Sequence, residues 1–131
     1  MSDTQPDPQT VLKGMETMMG TVPPAIRKVA EVNRAMLYEQ VRSSAFAMPP
    51  DNGALDPQTR TIVYLAAALA SSNHACTQAM VNKARVQGIP SEKLLEAFHI
   101  ARFAMATRVV GDAEPLFEML GQRGQEAVVS A

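Results

Sequence analysis

Cys76 is the only cysteine among 131 residues, and it lies inside 22 consecutive positions without a charge, between Arg60 and Lys83. A lone thiol can attack a peroxide or another electrophile, or it can serve as a small buried apolar group. It cannot form an internal disulfide framework or a cysteine-based zinc cage. The surrounding residues decide between these uses. If Asn73 caps a helix, Cys76 is its third residue, where backbone N–H groups still lack intrahelical acceptors. Partial positive charge at that end favours a thiolate. Asn73, Cys76, Met80 and Ala84 then share one face. His74, two positions before Cys76, falls about 200° around an ideal helix and points away. It reaches the sulfur as a base only if residues 72–74 stay in a loop.

A second histidine, His99, is either a buried core residue bonded to a backbone carbonyl or a polar contact at an interface. His74, Cys76 and His99 together show no recognised metal-ligand spacing, so no metal and no cofactor is expected.

The elements that position these groups read as helices throughout, because β-branched alternation is missing and helix punctuation recurs. A loose or disordered tail is expected over residues 1–7, before a single helical domain over 8–131. Asp7-Pro8 starts a helix that stops at Gly20, with Met15, Met18 and Met19 as one apolar stripe. Pro23-Pro24 opens a longer helix carrying Ile26, Val29, Ala30, Leu37 and Val41 inward, up to the loop at residues 48–55. Asp56-Pro57 caps a third helix with Ile62, Leu65 and Leu69 on its face, and Asn73 starts a fourth that closes at Gly88. Ser91 is expected to cap a fifth, with Leu94, Phe98, Ala101 and Met105 as its apolar row. A short sixth follows Gly111-Asp112, and the last residues either fray or extend it. The expectation is an all-α, single-domain bundle of about six helices.

Two of these helices are apolar on more than one face: Val63 and Tyr64 lie off the Ile62 stripe, and Ile100 and Phe103 lie off the Phe98 row. A helix of that kind is central or covered by another subunit, which predicts a homo-oligomer (dimer, trimer or hexamer).

Charge excludes other partners. The formal net charge is −1, with both signs mixed along the chain, so neither a nucleic-acid footprint nor a polybasic membrane anchor is present. The strictly apolar part of the uncharged stretch, residues 62–70, is too short to span a bilayer. The polar, acidic first ten residues lack a secretory pattern, and a cytoplasmic location is the expectation.

Residues 55–98 resemble the core of the carboxymuconolactone decarboxylase and alkylhydroperoxidase-D-like superfamily. The likeness rests on the spacing from Arg60 to Cys76, the alanine-rich helix between them, Gly88, and the IPSEKLLEAF helix start. The MMGTVPPAI stretch is similar as well. The resemblance implies an alkylhydroperoxidase-D-like helical fold, with a family-like core over residues 55–116. In peroxidase members, a Cys-x-x-Cys-x-x-x-His turn and a glutamate on the preceding helix cycle a disulfide and relay protons. This chain has Asn73 at the first cysteine position and Cys76 at the second, Met80 at the histidine position and Thr61 at the glutamate position. A dithiol cycle is therefore impossible.

Three functions follow. The first is a one-cysteine peroxidase or thiol antioxidant at Cys76, with His74 or the helix dipole replacing the lost base and an external thiol as reductant. The second is a non-redox decarboxylase acting on a small anionic lactone, with His74 or His99 moving the proton. Arg60, Lys83, Arg85, Arg102 and Arg108 are the cations available to hold such a substrate. The third is a non-catalytic small-molecule binder or oligomeric partner.

Overall fold

A computed structural model describes residues 5–130, with side chains through Glu126. Residues 1–4 of the expected tail lie outside the described residues, whereas the carbonyl of Pro6 accepts a 2.6 Å hydrogen bond from the Tyr38 hydroxyl. Among the described residues, seven helices and no strand form one helical domain: α1 (Pro8–Met19), α2 (Pro24–Val32), α3 (Arg34–Ala47), α4 (Pro57–Ala70), α5 (His74–Gln87), α6 (Ser91–Asp112) and α7 (Glu114–Ser130).

Local chemistry accounts for most boundaries. Asp7, Asp56 and Asn73 each accept a backbone N–H from the first turn that follows, and proline occupies the first position of α1 and α4. Gly20 and Gly88 end α1 and α5 in the left-handed conformation, at φ 78° and 65°. A side chain at either would be strained there.

Three expectations are corrected. The long second helix is two helices, because Asn33 leaves helical geometry at φ −152° and ψ 83° and turns its side chain to the Met36 N–H. An asparagine offers the backbone that local alternative, and it starts α3 by the same bond. Ser91 is the first helical residue and does not cap α6; Pro90 stands at the cap with no side-chain bond. Finally, the buried row of α6 is Ala97 and Ala101 beside half-buried Leu94, while Phe98 and Met105 are exposed. Small residues let α4 and α6 approach closely, so the helix turns its alanines inward. Met18 is likewise exposed, although Met15 and Met19 pack inward.

Two apolar clusters result. Leu12, Val22 and Leu37 join α1 to α2 and α3, with Ile26, Val29 and Ala30 against them. Leu65, Ala79 and Met80 join α4 to α5, with Met19, Tyr64, Leu69 and Leu94 around them. α4 is the central element, packed against both α5 and α6. α7 continues beyond the expected short helix to Ser130 and meets α6 at few points. No helix among the described residues is long and apolar enough to cross a membrane.

Candidate functional site

The tight turn at Ser71 and Ser72 folds α4 and α5 into an antiparallel hairpin. Ser72 carries a positive φ of 57°, and the Asn73 N–H bonds back to the Ala68 carbonyl at 2.9 Å. The hairpin starts α5 with Asn73 beside Cys76: Asn73 Oδ1 accepts from the Cys76 N–H at 3.1 Å. Cys76 is half-buried at the amide end of α5.

The hydrogen-bonding partner of the sulfur is a residue that spacing within α5 does not point to. Tyr64 Oη lies 3.1 Å from Cys76 Sγ, with either atom able to donate. Tyr64 comes from α4, and its ring packs against the Leu65–Met80 cluster while the hydroxyl reaches the thiol. The hydrogen bond to Cys76 is the main cause that pushes the Tyr64 hydroxyl up to about 12, with burial and the sulfur's charge adding to it. The phenol therefore stays protonated well past neutrality and remains a donor.

The other residues singled out from sequence separate into different places. Met80 is buried in the apolar cluster beside Leu65 and Ala79. Thr61 is fully buried, with its hydroxyl 2.7 Å from Gln87 Oε1 and 3.2 Å from the Pro57 carbonyl. Gln58 ties the same place by donating to the Gln87 carbonyl at 3.0 Å. Thr61 thus fastens the first turn of α4 to the last turn of α5, about one helical turn before Tyr64 on its own helix. His74 is exposed as the first residue of α5, and its ring makes no hydrogen bond among the described residues. His99 is exposed on α6, its ring 5.4 Å from that of Phe98. The fold brings Asn73 and Cys76 together, and pairs neither histidine with the sulfur.

A signal for Tyr64 was present in the sequence. An antiparallel hairpin with a two-residue turn presents residues on either side of that turn to one another, and Tyr64 is the one hydroxyl-bearing aromatic within three helical turns before it.

The family model for the carboxymuconolactone decarboxylase family matches residues 35–118, from the start of α3 into α7. The chain belongs to that family. No curated protein matches the chain. Membership accounts for the helical fold and for the hairpin that carries the site. The family's name does not settle what this hairpin does, since the groups that could react must be read from the residues present.

Those residues offer a thiol at a helix N-terminus and a neutral hydroxyl donor within bonding distance of it. No group of three or more His, Cys, Asp or Glu side chains able to hold a metal ion occurs among the described residues.

Proposed function

We propose that this family member is a one-cysteine thiol peroxidase acting at Cys76. The observation that carries the reading is the 3.1 Å contact between Tyr64 Oη and Cys76 Sγ at the first turn of α5. A thiolate there is met by the phenol O–H and by the partial positive charge of the helix start. In the first step the thiolate attacks one peroxide oxygen. An S–O bond forms, the O–O bond breaks, sulfur is oxidised to a sulfenic acid and the peroxide is reduced to an alkoxide. The alkoxide takes a proton from water or from the Tyr64 hydroxyl, which recovers it from solvent. In the second step an external thiol condenses with the sulfenic acid to give a mixed disulfide and water. A second external thiol then releases Cys76 as the thiol and leaves as the oxidised disulfide. Tyr64 takes the place of the missing histidine and glutamate as a donor, not as a base.

Hydroperoxide consumption with a low-molecular-weight thiol tests this. Cys76→Ser should lose the activity entirely, and Tyr64→Phe should lower kcat/KM by about tenfold, the value of one hydrogen bond to a charged sulfur. His74→Gln should leave the rate unchanged. Equal rates in wild type and Cys76→Ser would sink the reading.

We also propose that the chain works as a homo-oligomer. Ile100, Phe103, Val109 and Val110 on α6 and Phe117 and Leu120 on α7 are all about half-exposed or more. That much exposed apolar surface is costly to leave in water.

A further inference from the structure

Arg60 and Lys83 are partly buried cations at the open end of the α4–α5 hairpin, near enough for the charge of Arg60 to act on Lys83. Two contacts fix this placement. The bonds from Thr61 and Gln58 to Gln87 hold the first turn of α4 against the last turn of α5, and Lys83 is one turn before Gln87. Arg60 in turn lies beneath the loop that precedes α4. A Cβ added to Gly53 would stand 3.0 Å from Arg60 Nη1 and 3.2 Å from Pro49 Cγ, so only a glycine lets the loop backbone come this close to the guanidinium.

Neither cation has a carboxylate partner among the described residues; the ion pairs there are Arg42–Glu39 and Arg108–Asp112. Arg60 Nη1 is moreover shut off from solvent and has no acceptor. A buried guanidinium N–H without a partner costs about 1–3 kcal/mol or more, and native proteins seldom leave one so. Both Arg60 and Lys83 thus hold unused donors in a place where no acidic side chain answers them.

We propose that Arg60 and Lys83 form a binding site for one oxyanion, a carboxylate or a phosphate group carried by a small molecule. Nη1 is closed off beneath the loop, so the anion meets the guanidinium at its remaining N–H groups, and the ammonium adds a point charge from the facing helix. Burial, and second the charge of Arg60, hold Lys83 below its ordinary range, so the two cations repel each other until an anion arrives between them. The site also lies along the same strip as the thiol. Tyr64 is four residues beyond Arg60 on α4, about 6 Å along the axis, and Cys76 is seven residues before Lys83 on α5, about 10 Å. A molecule held by its anionic end at Arg60 and Lys83 therefore has Cys76 within reach of its other end. The anion site does not depend on peroxidase chemistry.

Isothermal titration of the full chain with orthophosphate, and separately with hexanoate, tests the proposal. Wild type should bind at least one of the two at a single site. Binding of orthophosphate alone assigns the site to phosphate groups, and binding of hexanoate alone assigns it to carboxylates. Arg60→Met and Lys83→Met should each weaken that binding by at least about tenfold, as expected for a charge-assisted contact. Arg85→Gln, which removes an exposed cation from the last turn of α5, should leave it unchanged. Lys83→Met should also melt no lower than wild type without ligand, because it relieves a repulsion, and should lose the anion-induced rise in Tm. Should Arg60→Met fail to fold, Lys83→Met and Lys83→Gln carry the same test. The proposal is overturned if neither anion binds wild type, if Arg85→Gln weakens binding as much as Lys83→Met, or if Lys83→Met binds like wild type. Repeating the titration on Cys76→Ser separates this result from the thiol chemistry. Unchanged affinity there supports an anion site independent of the sulfur, and lost affinity overturns it.

Discussion

The α4–α5 hairpin and the α6–α7 pair are built from similarly apolar sequence, yet they treat it in opposite ways. The hairpin buries small and medium side chains, Leu65, Ala68, Ala79, Met80 and Ala84, and directs its few polar groups at one another. Thr61 meets Gln87, Asn73 meets the Cys76 N–H, and Tyr64 meets the sulfur. α6 buries only Ala97 and Ala101 and sends Ile100, Phe103, Val109 and Val110 outward. The first region closes a core within one chain, and these polar pairs have fixed positions. The second has apolar area to spare, and nothing among the described residues covers it. Precision of placement and hydrophobicity are separate properties here, and only the first makes a site.

The largest expected effect breaks that contrast at its packing. Leu65→Ala opens a cavity in the hairpin core and should cost about 2–5 kcal/mol in denaturant unfolding. Phe103→Ser removes more apolar surface, yet it should change the stability of the single chain by less than about 0.5 kcal/mol, because that ring is 72% exposed. Its effect should fall on assembly instead, with sedimentation velocity showing a lighter species than wild type. Similar losses of stability from both substitutions, with unchanged sedimentation, would erase the distinction between the regions.

The sequence made the local features legible and left the cross-helix ones hidden. Asp7, Asp56, Asn73, Gly20 and Gly88 act through backbone groups within a few residues, so their roles could be read from spacing. The break at Asn33 escaped because the apolar pattern continues through it: Ile26, Val29 and Ala30 before it and Leu37 after it join one cluster although the helix axis changes. Periodicity likewise grouped Leu94, Phe98, Ala101 and Met105 on one side of α6, but it could not tell which side meets α4. The fit of two alanines decided that. The position of Cys76 on the first turn of α5, its cap and the neighbouring Met80 were legible for the same local reason. Gln87 at Thr61 depends on how far one helix slides along another, which no spacing within a single helix contains, whereas Tyr64 at the sulfur is foreshadowed only by the two-residue turn that pairs the helices.

A smaller effect sharpens the account of the hairpin's open end. Thr61→Val keeps the shape of a fully buried side chain and removes its hydroxyl from Gln87. The loss should be about 1 kcal/mol, since Gln87 then has a part-buried amide oxygen with no protein donor. Adding Gln87→Leu to Thr61→Val should cost less than the sum of the two single changes, as a shared bond requires. Strict additivity would mean that the 2.7 Å contact contributes nothing to the joining of α4 and α5.

The smallest effect is a titration, and it tests the turn end of the same hairpin. The chain has two tyrosines and no tryptophan, so Tyr38→Phe leaves Tyr64 as the only phenol seen in near-ultraviolet absorbance. Its ionisation should be centred near pH 12 in the folded protein, against 10.0 for an unperturbed tyrosine, and Cys76→Ala should bring it down toward that ordinary value. The consequence for stability has a definite sign. Between those two pH values the folded state keeps the Tyr64 proton and the unfolded state loses it. The contribution is thus whole below pH 10 and is lost as pH rises toward 12. Lys83 works the other way, because its proton is held less tightly in the folded chain, and stability gains as pH rises toward 10.5. Comparing unfolding of the Cys76→Ala and Lys83→Met proteins with wild type across this range separates the two. The alkaline loss should be smaller without the sulfur, and the gain below pH 10.5 should vanish without the ammonium. A Tyr64 titration that Cys76→Ala leaves in place would mean that burial, not the thiol, holds the phenol protonated.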